Sequence, residues 1–121
     1  MTDRLAAAEA LLADLVGFAS ISGQPNCEIV NYIKTYLESY GVIVHLDSHE
    51  DGQRYNLFAS IGPQIDGGIL LSGHLDVVPA NPAGWSRDPF VLHKQDGRLY
   101  GRGTADLKGF LAIALAMAPA F

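Results

Sequence analysis

The chain has 121 residues, 49% hydrophobic and 17% charged, a balance that suits one modest globular core and excludes a disordered polymer. Its 8 basic and 13 acidic side chains give a formal charge of -5, which leaves no cationic footprint for nucleic acid or an anionic membrane, so a small polar substrate is the expected partner. A single cysteine, Cys27, excludes an internal disulfide framework and a cysteine-rich zinc module, and is expected to pack as a small buried apolar side chain.

The opening MTDRLAAAEALLADLVGFA sets an arginine ahead of an Ala/Leu-rich run in the manner of a signal peptide, but Asp3, Glu9 and Asp14 interrupt every uncharged stretch. No run reaches the roughly 18 apolar residues that span a bilayer, and a cytoplasmic protein is expected. Leu5, Ala8, Leu12, Leu15, Val16 and Ala19 instead recur at helical spacing, with Thr2 or Asp3 placed to cap the helix. The stretch SISGQPN breaks that period. Asn26 can then cap a second helix with the apolar face Ile29, Val30, Ile33, Leu37 and Tyr40, closed by Gly41 at its C′ position.

Past Gly41 the segments VIVHL and RYNLFASI, separated by the turn-forming SHEDGQ, predict a hairpin. After the turn GPQIDGG, the run GILLSGHLDVV has the composition of a buried central strand with polar residues only towards its C-terminal end. Ligands of open α/β sheets sit beyond such ends. The proline-rich loop PANPAGWSRDPF carries Trp85, and FVLHK and RLYG, joined by QDG, predict a second strand pair. GRGTADLKG and the helix candidate GFLAIALAMA follow. The 13 residues after Lys108 carry no charge, and a helix that is apolar on every face belongs inside a core. No repeat or linker divides the chain, so a single α/β unit is expected, with a mixed sheet flanked by helices.

Two short segments could carry chemistry. In Ser72-Gly73-His74-Leu75-Asp76-Val77-Val78-Pro79 a histidine and an aspartate stand two apart, and on a strand such positions face one side. His74 could offer a ring nitrogen to a metal while Asp76 fixes its tautomer; the same spacing suits a histidine that is merely satisfied at a strand end. In Gly101-Arg102-Gly103-Thr104-Ala105-Asp106-Leu107-Lys108-Gly109 the glycines permit a close turn ahead of a helix. Asp106 could bridge two cations there, or serve as an N-cap. A phosphate cradle is a further alternative, although the P-loop and dinucleotide spacings are missing.

Together, SGHLDVVP and GRGTADLKG resemble the two signatures of the zinc aminoacylase and carboxypeptidase (M20) family. The stretches YNLFASIG and WSRDPFVLHKQDGRLYGRGTADLKGF are most similar to its acetylornithine deacetylase branch, so the resemblance covers nearly the whole chain. It implies two zinc ions, or cobalt or manganese, with His74 ligating one metal, Asp106 bridging both and Asp76 as the catalytic-site residue that orients His74. It also implies a cis Asp106–Leu107 peptide bond. His45, His49 and His93 match no ligand of the family, Arg102, Thr104 and Lys108 are expected to support the loop, and Trp85, Phe90 and Tyr100 to pack around it.

The family's reaction adds a glutamate base and further ligands that follow the second signature. All four glutamates here, Glu9, Glu28, Glu38 and Glu50, precede the first signature. The resemblance therefore implies that residues 1–121 form the amino-terminal part of a metallohydrolase catalytic domain, without the rest of that domain or the dimerisation domain, and that homodimers concern the full-length protein. The implied reaction is hydrolysis of an N-acyl amino acid, foremost N-acetylornithine to ornithine and acetate in arginine biosynthesis. A succinyl-diaminopimelate desuccinylase or another metallo-carboxypeptidase of the family is the alternative. A non-catalytic remnant or interaction module is an alternative of another class. The 121 residues alone are expected to be inactive and to bind zinc weakly, because two protein ligands fall short of the three usual at catalytic zinc.

Overall fold

Helical period governs the first forty residues of the computed structural model, which describes residues 2–121. Helix α1 (Thr2–Gly17) buries Ala8, Leu11, Leu12, Leu15 and Val16, while Leu5 at its start stays exposed. Thr2 and Asp3 lie inside the helix rather than ahead of it, so the capping position itself lies outside the described residues. Helix α2 (Cys27–Glu38) buries Ile29, Val30, Ile33 and Leu37, with Tyr40 exposed beyond its end. Gly41, at φ 76°, donates to the Glu38 carbonyl and Val42 donates to that of Leu37. Those two bonds are a Schellman closure, with Gly41 in the C′ place.

Asn26 corrects one expectation. It occupies the cap position of α2, yet its side chain makes no cap bond. Its amide instead grips both backbone groups of Tyr55, donating to the carbonyl at 3.0 Å and accepting from the N–H at 2.8 Å. The side chain thus stands in for a strand neighbour and ties α2 to the hairpin. Cys27 is half-buried rather than fully buried, with Sγ 3.4 Å from the Gln53 carbonyl oxygen.

Strands β1 (Ile43–Ser48) and β2 (Tyr55–Ser60) pair antiparallel in the register Ile43↔Ser60 to Ser48↔Tyr55. Val44, Leu57 and Ala59 lie against the helical core. The turn between the strands is held by Asp51, whose carboxylate accepts from Gln53 N–H at 2.9 Å and from Arg54 Nε at 2.7 Å. A second, shorter pair, β3 (His93–Gln95) and β4 (Arg98–Tyr100), closes through Asp96 and Gly97, both with positive φ. Two successive positive φ values are the mark of a type I′ turn, whose twist matches that of the strands it joins.

The α/β class holds, but the sheet differs from expectation. The run GILLSGHLDVV does not enter a ladder among the described residues: Ile69 is 91% exposed and Leu70 75%, and pairing is confined to a parallel bridge between Val77 and Ile21. Hydrophobicity marks a preference for burial, whereas a strand also needs neighbours whose backbone groups are free. Here each strand pair is a separate two-stranded sheet, and neither takes up this run as a third strand.

Helix α3 (Gly109–Met117) packs on α1 through Ala112, Leu115 and Ala116. Its other face, with Phe110 and Ile113, is exposed, so its uniform apolarity does not translate into burial on every side. Among the described residues no helix is long and apolar enough to cross a membrane.

Candidate metal centre

The loop that precedes α3 begins with Gly103 at φ 83°, and its shape demands glycine twice. A Cβ on Gly103 would stand 2.5 Å from Val77 Cγ1, and one on Gly109 would stand 2.4 Å from the Thr104 carbonyl oxygen. Real Cβ atoms do not approach so closely, so Gly103 lets the second signature fold onto the first and Gly109 lets the loop close on itself. Thr104 Oγ1 closes the loop on the Gly101 carbonyl at 3.1 Å. The Asp106–Leu107 peptide bond is cis.

Lys108 anchors the loop from below. Its side chain is fully buried and donates at 2.7 Å to the carbonyl oxygens of Leu15 and Phe18, at the C-terminal end of α1. A cation at that end meets the negative pole of the helix. Burial acts in the opposite sense and pushes the amine down to about 8. The first core helix is thereby tied to the loop that presents Asp106.

The two signatures meet at His74. Its Nε2 lies 3.0 Å from Asp106 Oδ1, across 32 positions of sequence. Its Nδ1 faces the backbone carbonyl of Asp76 at 2.9 Å and the Asp76 carboxylate at 3.2 Å. Asp106 makes no capping bond, and the cap position of α3 is Lys108. His45, His49 and His93 lie elsewhere: His49 belongs to the hairpin turn with Asp51 and Arg54, and His93 contacts Gln95.

The geometry sets an electrostatic requirement. A carbonyl oxygen can only accept, so Nδ1 carries a proton and donates to it, and the remaining Nε2 of a neutral ring is a bare acceptor. A bare nitrogen 3.0 Å from a carboxylate oxygen repels it unless a cation lies between, either a proton or a metal ion. In the metal-free chain the proton serves, and the hydrogen bond to Asp106 raises the His74 pKa, with Asp76 adding to the effect. Asp76 is held low, first by the Ser22 hydroxyl that donates to its Oδ2, and also by the His74 charge. Donors each about 2.0–2.2 Å from a zinc ion stand about 3 Å apart or a little more, so the pair has dimensions that suit one.

The centre is open and short of ligands. The Asp106 side chain is 87% exposed, and His74 and Asp76 are about half-exposed. Among the described residues no group of three or more His, Cys, Asp and Glu is gathered to hold a metal ion. Glu9 pairs with Lys94 and Glu38 with Lys34, on other parts of the surface. Of the other signature residues, the Arg102 guanidinium lies 5.1 Å over the Trp85 ring and donates to the Pro79 carbonyl at 3.3 Å. Tyr100 is exposed rather than packed around the loop.

Sequence reasoning passed over Ser20 and Ser22, which read as members of a helix-breaking loop. The signal was present as two serines flanking one apolar residue, but their partners lie more than fifty positions away, and no local pattern reports that.

Comparison with known proteins supplies a frame for this geometry. Residues 70–121 match Peptidase family M20/M25/M40. Acetylornithine deacetylase of Shigella sonnei (strain Ss046) is 42% identical over 93 residues, which are 76% of this chain and 24% of the relative. Acetylornithine deacetylase of Proteus mirabilis (strain HI4320) is 38% identical over 112 residues, covering 87% of this chain and 29% of the relative. The crystal structure of human carnosine dipeptidase 1 superposes with a TM-score of 0.80 at 29% identity, covering 99% of this chain and 30% of that one. The chain thus spans 24–30% of the length of each of these proteins.

Proposed function

Starting from a chain that belongs to peptidase family M20/M25/M40, we propose that residues 1–121 supply the first part of a two-metal amidohydrolase centre, the amino-terminal portion of a catalytic domain. The observation that carries this reading is the convergence of His74 Nε2 and Asp106 Oδ1 at 3.0 Å, two acceptors that need a cation between them. In it, His74 presents Nε2 to one metal ion, Asp106 presents its carboxylate to both, and Asp76 holds Nδ1 so that Nε2 stays bare. When bound, zinc would supply Lewis-acid polarisation of the scissile carbonyl and an acidified water. Cobalt and manganese suit the same mixed imidazole and carboxylate donors.

The proposed reaction is hydrolysis of an N-acyl amino acid, with N-acetylornithine as the substrate. Two relatives named acetylornithine deacetylase support that choice over a succinylated substrate. Glu9, Glu28, Glu38 and Glu50 all precede the first signature in the chain, so the proton-transferring glutamate is not supplied by these residues.

Zinc titration of the chain tests the metal pair. Weak binding is expected, and it should fall at least about tenfold in His74→Ala and in Asp106→Asn, given the usual weight of a direct ligand. Native-level binding in either variant would sink the assignment. The activity is tested in a chimaera in which residues 1–121 replace the matching segment of the Shigella sonnei enzyme. Hydrolysis of N-acetylornithine that disappears with His74→Ala is expected; hydrolysis that survives this change rules the role out.

A further inference from the structure

The loop that follows α1 lies directly against the first signature. Val77 N–H donates to the Ser20 carbonyl at 2.8 Å and Ser22 N–H donates to the Val77 carbonyl at 3.0 Å, which makes the parallel bridge between Ile21 and Val77. Backbone groups alone set this register, so no side chain is needed for it. The two serine hydroxyls are then free for other acceptors. Ser20 Oγ, buried, donates to the Leu75 carbonyl at 2.7 Å. Ser22 Oγ, exposed, donates to Asp76 Oδ2 and stands 3.3 Å from the Val77 carbonyl.

We propose that Ser22 is a positioning residue for the metal pair, fixing the Asp76 carboxylate in the orientation that holds the His74 ring. The contacts form one line: the Ser22 hydroxyl grips Oδ2 of Asp76, Oδ1 of the same carboxylate lies 3.2 Å from His74 Nδ1, and His74 Nε2 faces Asp106. Asp76 is about half-exposed and has no buried wall to choose its rotamer. Water would otherwise compete for both of its oxygens. A donor delivered on a backbone-registered bridge turns one oxygen aside and leaves the other for the imidazole. The tautomer of a ligating histidine is set by what its second nitrogen contacts, and partners one step behind a ligand contribute to metal affinity. Ser22 acts through Asp76 and His74 and touches no reacting atom, so its role is orientation.

This inference rests on the metal-pair reading, and the experiment separates the two. Chains with native sequence, Ser22→Ala, Ser22→Thr and His74→Ala are titrated with zinc. The imidazole nitrogens of His74 are followed by NMR in the metal-free chains, at a pH where the ring is neutral. Ser22→Ala should weaken zinc binding roughly tenfold, the lower end for an outer partner, and should shift the balance between the two His74 tautomers away from Nδ1–H. Ser22→Thr should restore both, with unchanged helical circular dichroism throughout. Native zinc affinity together with native His74 nitrogen shifts in Ser22→Ala would overturn the proposal, as would a loss that threonine fails to rescue. If the native chain binds no zinc, the metal-pair reading fails by itself. The His74 nitrogen shifts then decide Ser22 alone: a tautomer change in Ser22→Ala upholds the positioning role, and identical spectra refute it.

Discussion

The helical layer and the segment that carries His74 and Asp76 are built on different principles. Helices α1 and α2 place Leu15, Val16, Ile29 and Val30 in full burial and pack the first strand pair against them. The segment 69–76, of similar hydrophobicity, leaves Ile69, Leu70 and Leu71 exposed and ends on the half-exposed His74 and Asp76. Its attachment includes the bridge between Ile21 and Val77, the two serine hydroxyls and Leu75 packed on the core, while the loop opposite it is held by Lys108. Apolar composition therefore stabilises only where a complementary face is within reach, and His74 and Asp76 follow a stretch that lacks one.

The contrast can be broken most decisively in the core. Leu15→Ala should cost about 2–5 kcal/mol, the range for truncating a fully buried leucine, whereas Leu70→Ala, 75% exposed, should stay within about 0.5 kcal/mol. Denaturant unfolding of both variants checks the pair, and equal losses would mean that the two regions share one core. Next in size, Lys108→Met keeps the apolar stem but strips the donors from the Leu15 and Phe18 carbonyls. Leaving buried acceptors unpaired should cost about 1–3 kcal/mol, and zinc affinity should weaken with it because the Asp106 loop loses its anchor. Unaltered stability would show that the loop is held by something else.

The smallest effect belongs to the hairpin turn. The Gln53 N–H, with Arg54, pulls the Asp51 carboxyl down from 3.8 to about 2. A depressed folded-state pKa gives stability that is present above the unfolded value and is lost as pH falls from 3.8 towards 2. Asp51→Asn should flatten that part of the acid limb and leave stability at neutral pH nearly unchanged. An acid limb identical to that of the native chain would contradict the shift.

Much of this was legible in order of residues. The buried faces of α1 and α2 follow from 3.6-residue spacing, the Gly41 closure from the need for positive φ, the first strand pair from a β-branched run before a turn, and the second from the turn residues QDG. His74, Asp76 and Asp106 stood out because two signatures occurred together. The fate of GILLSGHLDVV was not legible, because pairing depends on where tertiary packing places other strands and not on the run itself. Asn26 escaped for a similar reason: an amide able to cap a helix can equally grip a strand, and Tyr55, 29 positions away, decides between them.

Sequence by itself determined the helices, the turns and the identity of the candidate ligands, since period, backbone freedom and side-chain chemistry are properties of neighbouring residues. Tertiary structure decided that His74 Nε2 and Asp106 Oδ1 would stand 3.0 Å apart, that Ser22 would reach Asp76, and that Lys108 would seat the loop on the end of α1. Those are distances between residues 32 to 93 positions apart, and they depend on close contacts such as that of Gly103 with the Val77 side chain, which packing imposes and local pattern does not record.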